Sequence, residues 1–342
     1  MSQPQPRAPL HIVSCKAALP LASSVAAHLH APLVPTHEVW FACGEGKIEI
    51  DANVRGSDLY VFQAPVAPDD PRSLYDRTMM MLHATESAVL ADAQYVTVVV
   101  PYFPCARQDK RKGRTREGIS AGLLARCLQA AGARRVIALE IHNEAIAGMF
   151  DPEACRLENV FLHQELCPWL VEQGLQGDLV AAPDVGGLER ARRYAEDLER
   201  GLAVISKVRD YGTANRVIRS TLIGDVAGRD VLIVDDIVDT AGSVVAAVRE
   251  LRDGGARNIT VTCAHPVLSA PAWQRLNELA AQATREGWRF TMVGTNAIHH
   301  PHTPDWYRTF DIAPLLARVI ESINSRRSVT GASRPQRGPL DL

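Results

Sequence analysis

Residues Val231 to Ser243 carry the densest potential chemistry in the chain: Val-Leu-Ile-Val-Asp-Asp-Ile-Val-Asp-Thr-Ala-Gly-Ser. The four apolar β-formers Val231–Val234 read as a buried strand. Asp235, Asp236 and Asp239 follow at its C-terminal end, and Thr240, Ala241, Gly242 and Ser243 stand where a helix should begin. Small residues there let backbone N–H groups close on an anion, and the hydroxyls add donors. In an open α/β sheet, ligands bind at that edge. The carboxylates would repel a bare phosphate, so they point to ribose hydroxyls or a metal ion beside it. An acidic surface turn is the plainer reading; three acids followed by Thr-x-Gly-Ser disfavour it.

Other reactive types cluster at further strand ends. Tyr102 to Asp109 follows an apolar run, and Lys110 to Glu117 packs many cations into one loop. Lys110 to Lys112 read as solvated charge. Arg107 lies next to the strand end, where a lone charge needs a partner, and a guanidinium fork matches triphosphate oxygens. His142 ends a strand in Glu140-Ile141-His142-Asn143, and Asp184 precedes Gly186-Gly187 and a helix. Asp184 fits a helix N-cap as well as a ligand, and the glycines allow close backbone approach. Lys207-Val208-Arg209 follows the strand Leu202–Ile205, and Asp210 to Arg216 reads as a mobile loop without period.

These residues need a scaffold that repeats strand ends. Leu59–Phe62, Val96–Val100, Val136–Ile141, Leu202–Ile205, Val231–Val234 and Ile259–Cys263 read as strands; Ile119–Ala130, Leu188–Leu198 and Val244–Asp253 read as helices. The alternation favours parallel sheets covered by helices. One order occurs twice: strand 96–100, polar loop, helix 119–130, Gly132-Ala133-Arg134 and strand 136–141; then strand 231–234, polar loop, helix 244–253, Gly255-Ala256-Arg257 and strand 259–263. Duplication of one doubly wound unit explains this and predicts a cleft between halves.

The 342 residues allow roughly two domains, and 46% apolar content supplies a core. A net charge of −2 gives no basic field for nucleic acid or a membrane surface. The first residues have no apolar signal region, and no apolar run is long enough to span a bilayer. The seven scattered cysteines, without CxxC spacing, read as reduced thiols of a cytoplasmic protein. Residues 1–9 and the Ser-, Pro-, Gly- and Arg-rich tail read as disordered.

On these residues the chain resembles the ribose-phosphate diphosphokinase (PRPP synthetase) family, PRPP being phosphoribosyl diphosphate. The 235–243 segment looks like the PRPP loop of the phosphoribosyltransferase fold. The resemblance extends over residues 11 to 328, through Asn53-Val54-Arg55-Gly56-Ser57-Asp58, Pro101-Tyr102, Ala106-Arg107-Gln108-Asp109, Arg114-Thr115-Arg116-Glu117, Ile141-His142, Pro183 to Gly187, Gly224 to Asp230 and Ala313-Pro314-Leu315-Leu316. It implies two similar doubly wound phosphoribosyltransferase-like α/β domains with parallel sheets. The expected domains are 10–152 on the ATP side, with oligomer contacts, and 153–305, with the ribose 5-phosphate loop. A C-terminal helix over 306–328 is expected to pack on the first domain, ahead of a disordered tail over 329–342.

The resemblance implies transfer of the diphosphoryl group of MgATP to the C1 hydroxyl of ribose 5-phosphate. Lys207 and Arg209 become the catalytic pair. Phe41, Glu45, Arg107, Gln108, Asp109 and His142 become the ATP contacts. Asp184, Asp235, Asp236, Asp239, Thr240, Ala241, Gly242 and Ser243 would bind ribose 5-phosphate, and His142 and Asp184 would serve Mg2+. Arg55, Arg114 and Arg116 would form a regulatory site. Adenine recognition across a subunit contact implies a homo-oligomer, dimer-based and extending to a hexamer in the family. Three departures stand out: Cys43 replaces an acid between Phe41 and Glu45, Val208 replaces an arginine, and Ala88-Val89-Leu90-Ala91 replaces basic residues of phosphate-activated members. The last implies weak or absent phosphate activation and ADP inhibition.

Three other readings compete. A phosphoribosyltransferase that consumes PRPP would share the 235–243 loop but needs neither the Arg107 segment nor the Lys207/Arg209 pair. A non-catalytic regulatory paralogue would tolerate Cys43, yet the retained Lys207, Arg209, His142 and Asp184 argue against it. A PRPP-sensing transcription regulator would need a DNA-binding module, for which neither terminus has room.

Overall fold

A computed structural model describes residues 6–111, 113, 115–209 and 217–329, with the side chains of 207–209 and 217–220 outside that description. The chain divides into two compact units. The first holds residues up to Phe161, with Ala297–His299 and the residues from Asp311 on; the second holds Leu162–Asn296 and His300–Phe310.

In the first unit the elements run β1 (Leu10–Ser14), α1 (Leu19–Leu29), β2 (Thr36–Trp40), β3 (Gly46–Ile50), β4 (Asp58–Phe62), α2 (Leu74–Leu90), β5 (Tyr95–Val99), α3 (Ser120–Ala130), β6 (Arg135–Leu139) and β7 (Arg156–Val160). The sheet order is β1-β4-β5-β6-β7, every neighbouring pair parallel. On the far side of β1, Leu33 makes one parallel bridge to Ile12, so the direction of winding reverses between β1 and β4. The β2–β3 pair is a separate antiparallel hairpin. Ser73 caps α2 in a capping box with Asp76.

The second unit continues with α4 (His163–Glu172), β8 (Leu179–Ala182), α5 (Leu188–Asp197), β9 (Gly201–Arg209), β10 (Val217–Ile223), β11 (Val231–Val238), α6 (Gly242–Asp253), β12 (Ile259–Pro266), α7 (Ala272–Glu286), β13 (Phe290–Thr295) and β14 (Tyr307–Phe310). Its sheet order is β10-β9-β8-β11-β12-β13-β14. Only β10 runs antiparallel there, against β9. Winding goes outward from β8 to β9 and the other way from β11 to β12, which puts the switch point between β8 and β11. The last helix, α8 (Ala313–Asn324), returns to the first unit and packs on α1.

The repeated order is real in three dimensions. β5 and β6 pair in parallel around α3, and β11 and β12 around α6. Both helices close identically. Gly132 and Gly255 take φ of +94° and +86°, which lets the N–H of Ala133 reach Leu128 O and that of Ala256 reach Leu251 O. Ala133 and Ala256 are buried, and each motif then enters its strand. Val231–Val234 are fully buried, each worth about 1.5–3 kcal/mol on the usual side-chain scale for apolar burial.

Several expectations need correction. β7 pairs with β6, so the first unit ends at Phe161 and not at residue 152. Residues Tyr307–Phe310, expected within the C-terminal helix, form β14 because they complete the edge of the second sheet; the helix begins at Ala313. Residues 6–9, expected as disordered, are held: Arg7 donates its backbone N–H to Asn324 O and forks onto Asp58, and Ala8 is buried. Residues 1–5 and the tail from 330 lie outside the described residues. Among the described residues, no helix is long and apolar enough to cross a membrane.

Candidate active site

The short loop of the second unit is built by strand extension. β11 does not stop at Val234: pairing with β12 continues through Asp235↔Cys263 and Ile237↔His265 to Val238↔Pro266. Asp235 and Asp236 therefore sit within the strand, not after it. Three residues, Asp239, Thr240 and Ala241, then connect to α6. Ala241 is buried at φ +60°, an uncommon conformation for a non-glycine residue, and it turns the chain sharply into the helix. Thr240, Gly242 and Ser243 are exposed at the N-terminus of α6, where unpaired N–H groups favour an anion.

Asp184 stands at the other side of the switch point. β8 pairs with β11 at Ala181↔Ile233, and Asp184 and Asp236 each come three residues later. Both acids thus lie at the C-terminal edge, flanking the crevice that this topology creates. The Asp184 carboxylate accepts from Gly187 N–H at 3.0 Å, capping the turn that leads into α5. Asp236 is buried and faces Arg190 Nη1 of α5 at 3.5 Å. Burial, and then the neighbouring Asp236 carboxylate, push the Asp235 carboxyl well above its ordinary range. Two adjacent, poorly solvated carboxylates are oxygen donors that a hard cation would suit.

Lys207 and Arg209 lie within β9 rather than beyond it, at i and i+2 of the stretch that runs past Ala182↔Val204. Their side chains, and the loop over 210–216, lie outside the described residues.

In the first unit a much longer connection, residues 100–119, joins β5 to α3. Cys105 takes φ +64° there. Arg107 is exposed in this loop. Gln108 binds this loop to α3: its side-chain carbonyl accepts from Ser120 Oγ at 2.5 Å and its backbone carbonyl accepts from Ala121 N–H. Asp109 accepts from the Asn143 amide and lies 3.7 Å from Lys110 Nζ. Burial alone would raise the Asp109 carboxyl; the Asn143 hydrogen bond and Lys110 outweigh it and hold it low. His142 is exposed beside this pair; it does not end the strand as expected but lies three residues beyond β6, which stops at Leu139.

Phe41 and Glu45 occupy the tip of the β2–β3 hairpin, closed by Phe41 N–H to Glu45 O and by Gly44 at φ +95°. Phe41 is 48% exposed, and Glu45 and Cys43 are exposed with it. Arg55 pairs with Asp92 at 2.9 Å in the turn before β4, at the N-terminal edge of the sheet. Arg116 belongs to the loop leaving the opposite edge, so one chain does not unite them, and Arg114 lies outside the described residues. All seven cysteines are free, and burial pushes the Cys155 thiol up to about 12.

Asn143 and Arg190 join the site without being expected from the motifs. Asn143 stands next to His142 and both caps the following turn, accepting from Ala145 N–H, and holds Asp109. Its Asn-Glu-Ala start is a capping signal. Arg190 has no local signal, since its partner Asp236 is 46 residues away.

Among the described residues no three His, Cys, Asp or Glu side chains converge as a metal cage. Magnesium does not require one, because it keeps waters and takes oxygens from substrate phosphates.

A β11-type strand, a three-residue turn into a helix and flanking acids at a switch point define a phosphoribosyltransferase-type domain. A model of the phosphoribosyl transferase domain matches residues 159–286, and one of the N-terminal domain of ribose phosphate pyrophosphokinase matches residues 10–132. The ribose-phosphate pyrophosphokinase of Staphylococcus saprophyticus is 34% identical over 323 residues, covering 94% of this chain and 96% of that relative. That of Bacillus subtilis is 34% identical over 292 residues, 85% of this chain and 86% of its own. The crystal structure of phosphoribosylpyrophosphate synthetase from Mycobacterium smegmatis aligns with a TM-score of 0.80 at 32% identity, over 92% of this chain and 98% of that one. The chain belongs to the ribose-phosphate pyrophosphokinase family.

Proposed function

We propose that the chain moves the β,γ-diphosphoryl group of MgATP to the C1 hydroxyl of ribose 5-phosphate, yielding PRPP and AMP. The observation that carries this is the three-residue loop 239–241 at a switch point flanked by Asp184 and the Asp235/Asp236 pair. Backbone N–H groups at the start of α6, with the Thr240 and Ser243 hydroxyls, hold the 5-phosphate. Asp235, Asp236 and Asp239 hold the ribose hydroxyls. Exposed Arg107 with Gln108, Asp109 and His142 takes the triphosphate. His142 in the first unit and Asp184 in the second would each be available to hold magnesium, which would supply charge neutralisation for the diphosphoryl group. The C1 hydroxyl attacks the β-phosphorus in line and AMP leaves, so the work of the chain is positioning and charge neutralisation. Lys207 and Arg209 stabilise the transferring group.

The exposed Phe41 at the hairpin tip stacks on adenine bound to a second copy of this chain, with Glu45 as its hydrogen-bonding partner, which makes the working form a homo-oligomer. The test is 31P NMR of ATP, Mg2+ and ribose 5-phosphate with the protein. AMP with a new sugar-linked diphosphate supports the reading; ADP, or ATP left intact by folded protein, overturns it.

A further inference from the structure

A loop that points its N–H groups at an anion must turn its carbonyls away, and those carbonyls need donors. In the 239–241 loop that donor is visible. Arg275, in the first turns of α7, donates from Nη1 to Thr240 O at 2.9 Å. The same nitrogen would lie 3.3 Å from a Cβ placed on Gly242, so the guanidinium packs along the back of the loop where it enters α6. A second tie comes from the turn ahead of α7, where Leu268, itself at φ +50°, donates its N–H to Val238 O at 3.0 Å. Segment 268–275 thus holds the end of β11 and the loop from behind. Arg275 is partly buried and has no carboxylate partner among the described residues. Its guanidinium lies beside the positive end of α6.

We infer that Arg275 is a positioning residue for the phosphate-binding loop: it fixes the Thr240 carbonyl away from the ligand and keeps the loop N–H groups and Ala241 in the geometry that grips a sugar phosphate. The inference rests on the assignment of ribose 5-phosphate to this loop. Loss of the donor leaves a carbonyl free to turn toward the phosphate, which penalises the bound state and leaves the ATP contacts of the first unit unchanged. A charge-assisted hydrogen bond of this kind corresponds to roughly ten-fold or more in affinity.

The test compares Arg275→Ala, Arg275→Lys and Arg285→Ala, the last a neighbouring arginine on α7 without a bond to the loop. KM for ribose 5-phosphate, KM for MgATP, kcat and thermal midpoint are measured for each. Arg275→Ala is expected to raise KM for ribose 5-phosphate about ten-fold and hold KM for MgATP within about two-fold, with Lys restoring part of the loss and Arg285→Ala neutral. Calorimetric titration with ribose 5-phosphate should show the same order. An unchanged KM for ribose 5-phosphate in Arg275→Ala, equal rises for both substrates, or an equal loss in Arg285→Ala would overturn the role. Absence of ribose-dependent AMP release in the unaltered chain would instead defeat the catalytic reading; the calorimetric comparison then decides Arg275 by itself, an undiminished or undetectable ribose 5-phosphate affinity counting against it.

Discussion

The strand–loop–helix units β5–α3 and β11–α6 share their order, their parallel pairing and their Gly-Ala-Arg closure, yet their loops differ completely. In the second unit the loop has three residues, sits at the switch point and is flanked by acids. In the first, the connection over 100–119 lies away from the reversal between β1 and β4 and carries cations. Among the described residues each holds one non-glycine residue at positive φ, Ala241 or Cys105. The crevice of the second unit carries a short loop flanked by acids, while the first unit holds a long loop pinned by Gln108–Ser120 and Asn143–Asp109. The scaffold is common; the chemistry lies in the loops.

The largest effect that would sharpen this contrast is at Lys207. Lys207→Ala should lower kcat by about 10³-fold or more, with the affinity for ribose 5-phosphate nearly kept. Equal losses in turnover and affinity, read from initial rates and titration, would remove Lys207 from the transferring group. Next, Ala241→Val places a β-branched residue at φ +60°. It should raise KM for ribose 5-phosphate about ten-fold through a strain of order 1–3 kcal/mol and leave KM for MgATP alone.

A smaller effect concerns Asp235. Its carboxyl is raised in the folded chain by burial and by Asp236, so it binds its proton more tightly folded than unfolded. That contribution to stability is full below the unfolded value and is lost as pH rises through the folded one. Asp235→Asn should therefore melt higher than the unaltered chain without ligands, by a few degrees at neutral pH for about 1 kcal/mol, with the gap closing in acid. It should also be poorly active. A gap independent of pH in melting scans would contradict the assigned cause. Smallest is Arg257→Ala: its surface ion pair with Asp230, at 2.7 Å, should leave the melting midpoint and the kinetics nearly unchanged.

The sequence made the scaffold legible where pattern is local. Val231–Val234 and Gly255-Ala256-Arg257 announce strand and helix end by residue type alone. The extension of β11 through Asp235 and Asp236 was not legible, because aspartate is a poor strand former and only pairing with β12 keeps it extended. Helix α2 has its local signal too, the capping box Ser73-Leu74-Tyr75-Asp76. Of the candidate site, the acids, the loop and His142 could be read as motifs. Arg190 on Asp236 and Arg275 on Thr240 could not, because their partners are distant in the chain.

The central claim, one scaffold with two loops for two substrates, is tested most directly by a crossed kinetic comparison of Arg107→Ala and Asp236→Ala. Arg107→Ala should raise KM for MgATP about ten-fold with KM for ribose 5-phosphate nearly unchanged, and Asp236→Ala should do the reverse. Substitutions that raise both constants together, or that cross the other way, would contradict it.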